Sequence, residues 1–490
     1  MACTTILVGK KASYDGSTLI ARNDDSPTGI FNAKKLVVVE PRHQPRHYES
    51  KIAHLKIELP DNPLSYTAMP SVDTKEGVWA ASGINSANVA MTATETITTN
   101  DRVLGADPLV KYVKGVDGKA DIAGGIGEED LVVITLPYIH SAKEGALRLG
   151  ALLEKYGTYE SNGIAFSDKD EIWWLESIGG HHWIAKRVPD DTYITMPNQF
   201  GLDNFDLDDA FSKQKENLCS PDLKDFINDN HLNLNLDGKF NPRLAFGSHS
   251  DSDHVYNTPR AWYIERYLNP RTCKWDGEEA DFTPLSDDIP WARVPERKIT
   301  VSDVKYLLSS HFQGTKYDPY AKYGDPAMKG AYRPIGISRT SFMSVAQIRP
   351  DLPEEIQAIE WICFGSNPFN ALVPLYTNVK KIPAYYNNTT LTVSTDNFYW
   401  ASRLIGALAD SHFNFCSALI ERYQDAVMNQ SNALINKYDV LFTKENKLEL
   451  LNEANELLSE MAHKETDKAL NNVLYEVSCH MKNGYSKSDN

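Results

Sequence analysis

The first 25 residues can bring a thiol, a guanidinium and two carboxylates to one place. Cys3 precedes the run Thr4-Thr5-Ile6-Leu7-Val8, and a second run, Ser17-Thr18-Leu19-Ile20-Ala21, leads into Arg22-Asn23-Asp24-Asp25. Both runs are β-branched and apolar, and Asp15-Gly16 between them is a turn signal, so the pair reads as a β-hairpin. Pairing Gly9 with Ser17 and counting outward sets Cys3 opposite Asn23, with Arg22 and Asp25 within a residue or two.

A free thiol titrates at about 8.5, and a neighbouring cation favours the thiolate that attacks carbonyl carbon. If cleavage made Cys3 the first residue, its α-amine, with a pKa of about 8, could take the thiol proton, so that one residue would serve as nucleophile and base. The other reading of Cys3 is a small buried hydrophobe at the start of a strand. Spacing alone leaves both open.

The elements that must position these groups alternate in type. Residues 36–40 read as a strand, and 77–82 and 88–94 as a hairpin around Gly83-Ile84-Asn85-Ser86-Ala87. Ser141 can cap a helix, with Glu144 completing a capping box and Gly157 as the stop. Residues 163–198 form an aromatic, β-branched meander, 203–230 are acidic and helical in pieces, and 270–295 read as a surface excursion. Ser302 is placed as the cap of a helix reaching about 312. Strand character returns at 341–348 and 356–364, and beyond Asp396 apolar residues recur at helical spacing almost to the end. Blocks of strands interleaved with and followed by helices predict an α+β layered fold.

With 490 residues the chain can bury a large core. A formal charge of −16 without a basic block opposes binding to nucleic acid or to an anionic membrane. No apolar run approaches the roughly 20 residues of a membrane span, and no secretory signal opens the chain, which predicts a cytoplasmic protein. The six cysteines are scattered without a Cys-x-x-Cys pair, so neither a disulfide framework nor a cysteine metal site is expected. The stretch His249-Ser250-Asp251-Ser252-Asp253-His254 matches no established zinc spacing, and His181-His182 reads as structural. No metal and no cofactor are expected.

Taken together, Cys3-Thr4-Thr5, Ala21-Arg22-Asn23-Asp24-Asp25, Trp173-Trp174-Leu175-Glu176, Trp183-Ile184-Ala185-Lys186-Arg187-Val188-Pro189-Asp190-Asp191, Pro197-Asn198-Gln199-Phe200, residues 339–353 and Val373-Pro374-Leu375-Tyr376 resemble the dipeptidase A family of cysteine peptidases. That family belongs to the N-terminal-nucleophile hydrolases, with penicillin V acylases and bile salt hydrolases as distant relatives. The resemblance implies an αββα four-layer sandwich. It divides the chain into a short propeptide at 1–2, a hydrolase domain with insertions at 3–395 and a helical C-terminal region at 396–490.

It also implies roles. Cys3 is the nucleophile, and Arg22 holds the thiolate or a developing negative charge; without the resemblance, Arg22 would read as an ion-pair partner of Asp24 or Asp25. Asp25 holds the amine or thiol of Cys3, with turn chemistry as its other reading; Asp24 is its alternate and a candidate substrate contact. Asn198 donates to the oxyanion, although an asparagine after proline is also a turn residue. Arg260 falls where the acylase relatives have a second active-site arginine, and otherwise reads as a surface helix arginine. Glu95 aligns with an oxyanion-hole asparagine of the bile salt hydrolases. A carboxylate suits the free ammonium of a dipeptide better, and an exposed strand-end glutamate is the other reading.

The implied activity is hydrolysis of unblocked dipeptides. Alternatives are an acylase acting on N-acyl amides, and a non-enzymatic, secernin-like protein using its C-terminal helices as a partner surface. The expected partners are small peptide substrates, and assembly into a homo-oligomer is left open.

Overall fold

The structure, a computed structural model, describes residues 3–482, Thr94 by its backbone alone. The propeptide expected at 1–2 lies outside the described residues. Thirteen strands build the two main sheets: β1 (Thr4–Val8), β2 (Thr18–Asp25), β3 (Ser82–Ile84), β4 (Ala90–Thr96), β5 (Asn162–Ser167), β6 (Ile172–Ile178), β7 (His182–Arg187), β8 (Tyr193–Met196), β9 (Asn217–Cys219), β10 (Ala292–Arg293), β11 (Thr340–Ile348), β12 (Ala358–Phe364) and β13 (Val373–Tyr376). One sheet has seven strands in the order β10-β8-β1-β2-β11-β12-β13, the other six in the order β9-β7-β6-β5-β4-β3. All of these pairings are antiparallel. With the helices described below, the chain is α+β.

Side chains of the first sheet alternate between two cores, as the period of two in a strand requires. Leu7, Ile20, Ile194, Ala346 and Ile348 join Ala90, Ala165, Trp174 and Ile184 of the second sheet in one cluster, so the sheets pack face to face. Ile6, Val8, Leu19, Ala21 and Val345 turn to the opposite face and pack with α2 (Thr258–Leu268) and α3 (Val301–Leu308). The outer face of the second sheet, including Phe166, Trp173 and Trp183, is covered by α1 (Ala142–Tyr156).

Three further helices, α4 (Phe398–Asp410), α5 (Phe413–Glu445) and α6 (Glu449–Cys479), extend the same cluster as β12 and β13. Buried Ile420, Tyr423, Val427, Ile435, Tyr438 and Phe442 follow helical spacing along α5. Among the described residues no helix is long and apolar enough to cross a membrane.

Several local expectations change. The first hairpin pairs Val8 with Leu19 and Thr4 with Asn23, one residue away from the expected register. The cause is Asp15, whose carboxylate accepts from the Ser17 N–H (3.1 Å) and hydroxyl (2.5 Å) and draws Ser17 into the turn. Gly9 meanwhile donates to the Thr192 carbonyl at 2.9 Å. The expected meander divides: β5, β6 and β7 stay in one sheet, whereas β8 crosses to the other and pairs with β1.

The second hairpin opens at Ser82 rather than 77, because Trp79 and Ala81 take positive φ and break the strand. Thr300, not Ser302, caps α3, in a reciprocal box with Asp303. Ser141 caps α1 as expected, but Glu144 reaches back to the N–H of His140 at 2.6 Å. The excursion at 270–295 is anchored by buried Trp275 and Trp291.

Candidate active site

Cys3 and Arg22 meet because of the register. On adjacent antiparallel strands, residues directly opposite share a face, so Cys3, Thr5 and Leu7 of β1 and Asp24, Arg22 and Ile20 of β2 all point between the sheets. Arg22 Nη2 lies 2.8 Å from Cys3 Sγ, 3.2 Å from Asp24 Oδ1 and 3.5 Å from Glu128 Oε1, while Nη1 donates to the Ala81 carbonyl at 3.1 Å. Cys3 and Arg22 are both fully buried. Burial pushes the thiol up to about 12; Arg22 pulls the other way, and Glu95, Glu128 and Asp24 add to the rise. Burial alone would lower Arg22, but Cys3, Asp24, Glu128 and Glu95 more than offset it and hold the guanidinium above its ordinary value.

The carboxylates around Arg22 belong to a wider network. Asp24 Oδ2 pairs at 3.2 Å with Lys34 Nζ, which also donates to the Trp79 carbonyl at 2.8 Å. Behind Glu128, burial raises Glu129 to about 8, with Asp130 adding to the rise, and raises Asp130 to about 6. The Tyr159 hydroxyl donates to Glu129 and that of Tyr48 to Asp130, each at 2.6 Å. Among the described residues, Cys3, Asp24 and Glu128 form the group whose ligand atoms converge as a metal would need, within 4.8 Å of one another. The guanidinium of Arg22 contacts all three and so takes the place of a cation.

Arg260 approaches Cys3 from α2 and is also fully buried. Its Nη1 donates to the Cys3 carbonyl and, at 2.7 Å, to the Thr4 hydroxyl. Its Nη2 donates to Asn198 Oδ1 and Asn257 Oδ1, each at 2.8 Å, and Nε to the Tyr256 carbonyl at 2.7 Å. Burial, reinforced by Arg333, lowers Arg260 to about 9 against the opposing pull of Glu95. The second arginine is thus bonded to the nucleophile's own backbone. Asn198 Nδ2 donates to the Thr96 carbonyl at 2.9 Å, tying the end of β4 to the segment that follows β8.

Asp25 sits elsewhere. Its side chain alternates to the face opposite Asp24, where it accepts from Arg333 and, at 2.6 Å, from the Thr340 hydroxyl. The one-residue register difference explains this: Asp24, not Asp25, shares the face of the thiol. Glu95 is fully buried at the bulged end of β4, neither exposed nor at the surface. Oε2 accepts from the Thr5 hydroxyl at 2.9 Å, and Oε1 has no hydrogen-bond partner among the described residues. Burial carries its pKa up to about 8 although Arg260, Arg22 and Arg333 all pull it down. Three guanidiniums so placed oppose a cation, which argues against the expected ammonium-gripping role.

Lys34, Glu128, Arg333 and Tyr256 were not singled out in the sequence. Each lies outside the long periodic strands and helices, Tyr256 at the end of the short helix Asp253–Tyr256, and only the fold brings Lys34 to Asp24, Glu128 to Arg22, and Arg333 and Tyr256 to Arg260. The Tyr256 ring lies 5.3 Å from Arg260 and 5.2 Å from Arg333, and its hydroxyl accepts from Arg339 at 2.6 Å. A cavity of about 710 Å3 opens beside this group, bordered by Thr96, Asn198, Ser250, Tyr256 and Asn257.

The two histidine motifs are spent on structure. Asp107 holds His181 Nδ1 at 3.0 Å and His182 Nδ1 at 2.7 Å, and His254 Nε2 lies 3.0 Å from Asp287 Oδ1. Asp253 is taken up by hydrogen bonds from Ser248, Ser250 and Asn257.

Comparison with known proteins finds relatives of this chain by sequence. Residues 2–426 match the model of Peptidase family C69. The chain is 53% identical over 532 residues to a protein named dipeptidase from Bifidobacterium longum, covering all of both chains. It is 53% identical over 490 residues to a probable dipeptidase A of Streptococcus pyogenes, again covering both chains completely. With dipeptidase A of Lactobacillus helveticus it shares 46% identity over 428 residues, covering 86% of this chain and 85% of that one.

Proposed function

The chain belongs to peptidase family C69, and on that premise we propose that it is a cysteine-dependent dipeptidase, hydrolysing unblocked dipeptides through an acyl-enzyme on Cys3. The observation that carries the reading is the 2.8 Å contact of Arg22 Nη2 with a fully buried Cys3 Sγ. Buried at about 12, the thiol rests neutral at physiological pH. Loss of its proton creates a charge that Arg22 is already in place to stabilise. The names of full-length relatives support a dipeptide as substrate.

In the reaction the sulfur pair forms an S–C bond to the scissile carbonyl, and the thiol proton passes to the α-amine of Cys3, freed by cleavage of the Ala2–Cys3 bond. Collapse breaks the C–N bond, and the second amino acid leaves with that proton. Water then attacks the thioester and gives a proton to the α-amine; the S–C bond breaks, the first amino acid leaves as its carboxylic acid, and the proton returns to the sulfur. Arg260 is a positioning residue that fixes the Cys3 carbonyl and Thr4. Asn198 stands beside it as an oxyanion donor. Asp24, on the thiol's face, pairs with Arg22 and Lys34 and so holds the guanidinium against the sulfur.

The face-to-face sheets with helices on their outer faces support an N-terminal-nucleophile hydrolase sandwich over 3–395, elaborated by the helical region from 396. Six free cysteines and the acidic charge fit work in the cytoplasm.

The test compares an unblocked dipeptide with its N-acetylated form. Turnover of the free dipeptide with little of the acetylated one is expected; preference for the acetylated substrate would establish the acylase alternative instead.

A further inference from the structure

Glu95 is a buried carboxyl on the thiol's side of β1 with one oxygen held and the other bare among the described residues. Its Oε2 is held by Thr5 at 2.9 Å, whereas Oε1, fully buried, meets no partner among the described residues. Leaving a buried acceptor bare costs about 1–3 kcal/mol. An Oε1 that carries a proton instead has a hydrogen bond to give once something enters the site.

Thr5 and Cys3 share a face of β1, so Glu95, fastened to Thr5, is held on the thiol's side of the strand. Asn198, bonded to the carbonyl of neighbouring Thr96, stands at the same end of β4. The charged and titratable groups that face Glu95 are Cys3 from β1, Arg22 from β2, Arg260 from α2 and Arg333 from the loop before β11. Burial outweighs all three guanidiniums and lifts the carboxyl well above the ordinary carboxylate range, toward the neutral acid.

Resting on the reading of Cys3 as nucleophile, we propose that Glu95 acts as a neutral carboxylic acid, donating its O–H to the oxyanion of the tetrahedral intermediate formed on Cys3. When the S–C bond forms, the carbonyl π pair moves onto oxygen. Glu95 donates to that oxygen and keeps its proton. On collapse the pair re-forms C=O as the C–N bond breaks, and the leaving amine takes the proton that came from the thiol. A protonated carboxylic acid is a known donor to developing oxyanions when an apolar site keeps it neutral. Glu95 thereby becomes a catalytic residue.

The test uses the full chain with Glu95→Gln and Glu95→Ala, assayed on an unblocked dipeptide from pH 6 to 10. Glu95→Ala should lower kcat about 100- to 1000-fold with KM little altered, the loss typical of one oxyanion donor. Glu95→Gln, which is isosteric and keeps an N–H donor, should recover kcat to within about tenfold of wild type. Wild-type kcat should fall as pH rises through about 8, where the carboxyl ionises, and Glu95→Gln should lack that fall.

A Gln variant as inactive as the Ala variant, or an alkaline fall that persists in Glu95→Gln, overturns the proposal. So does a rise in KM with kcat preserved, the signature of an ammonium grip. Dipeptide turnover that is lost in Cys3→Ala but insensitive to Glu95→Ala overturns this proposal alone. Absence of turnover by the wild-type chain overturns the parent reading as well.

Discussion

A thiol pressed against a guanidinium and sealed from water cannot lose its proton unless a base is at hand. Arg22 is a cation and accepts nothing, and the same guanidinium already engages the carboxylates of Asp24 and Glu128. The base in this account is the α-amine of Cys3, which requires removal of Met1 and Ala2. An intact-mass measurement of the active protein should therefore show a chain beginning at Cys3; a fully active chain beginning at Met1 or Ala2 would exclude the amine as base. Cys3, Arg22, Asn198 and Arg260 were legible as candidates because each sits in a recognisable motif, and the fold does gather them. The sequence reading favours Asp25 over Asp24, and the structure reverses the order: adjacent strand residues point to opposite faces, so a difference of one in register exchanges their surroundings. Glu95 was legible as a position but not as a chemical species. Its protonation state depends on burial and on three arginines distant in sequence.

The strands that carry the site were found by alternation and turn signals, since a β-branched run bounded by Gly, Asp or Asn has few other uses. Which sheet a strand joins was not readable: Tyr193–Met196 follows the meander in sequence yet leaves it to flank β1. Long-range closure of edges was equally silent. Strand β13 ends the seven-stranded sheet, and there the N–H of Tyr376 donates to Asn455 Oδ1 while Asn455 Nδ2 donates to the Tyr376 carbonyl, both at 2.9 Å. One side chain of α6 thus does the hydrogen bonding of a further strand. Asn455→Ala strips both partners from a buried edge and should cost roughly 2 kcal/mol, seen as a lower urea midpoint with kcat and KM for a dipeptide unchanged. An unaltered midpoint would refute this role for α6.

Across the whole molecule, one hydrophobic cluster runs from Ile6 and Val8 of the first strand through β12 and β13 into α5 and α6, so the C-terminal helices are part of the body that holds Cys3. Arg349 reinforces the junction by pairing with Asp439 at 2.6 Å. The α+β class followed from interleaved strand and helix patterns, whereas the joining of sheet and tail into one core depended on pairings hundreds of residues apart. Everything in this arrangement converges on the thiol: two sheets enclose it, Arg22 contacts its sulfur, Arg260 fixes its carbonyl and Glu95 waits beside it with an unused oxygen. The most direct test is the initial rate of hydrolysis of an unblocked dipeptide by Cys3→Ala, purified beside the wild type and matched to it by circular dichroism. Loss of all measurable turnover in the folded variant is the predicted result, and turnover at the wild-type rate would contradict the account at its centre.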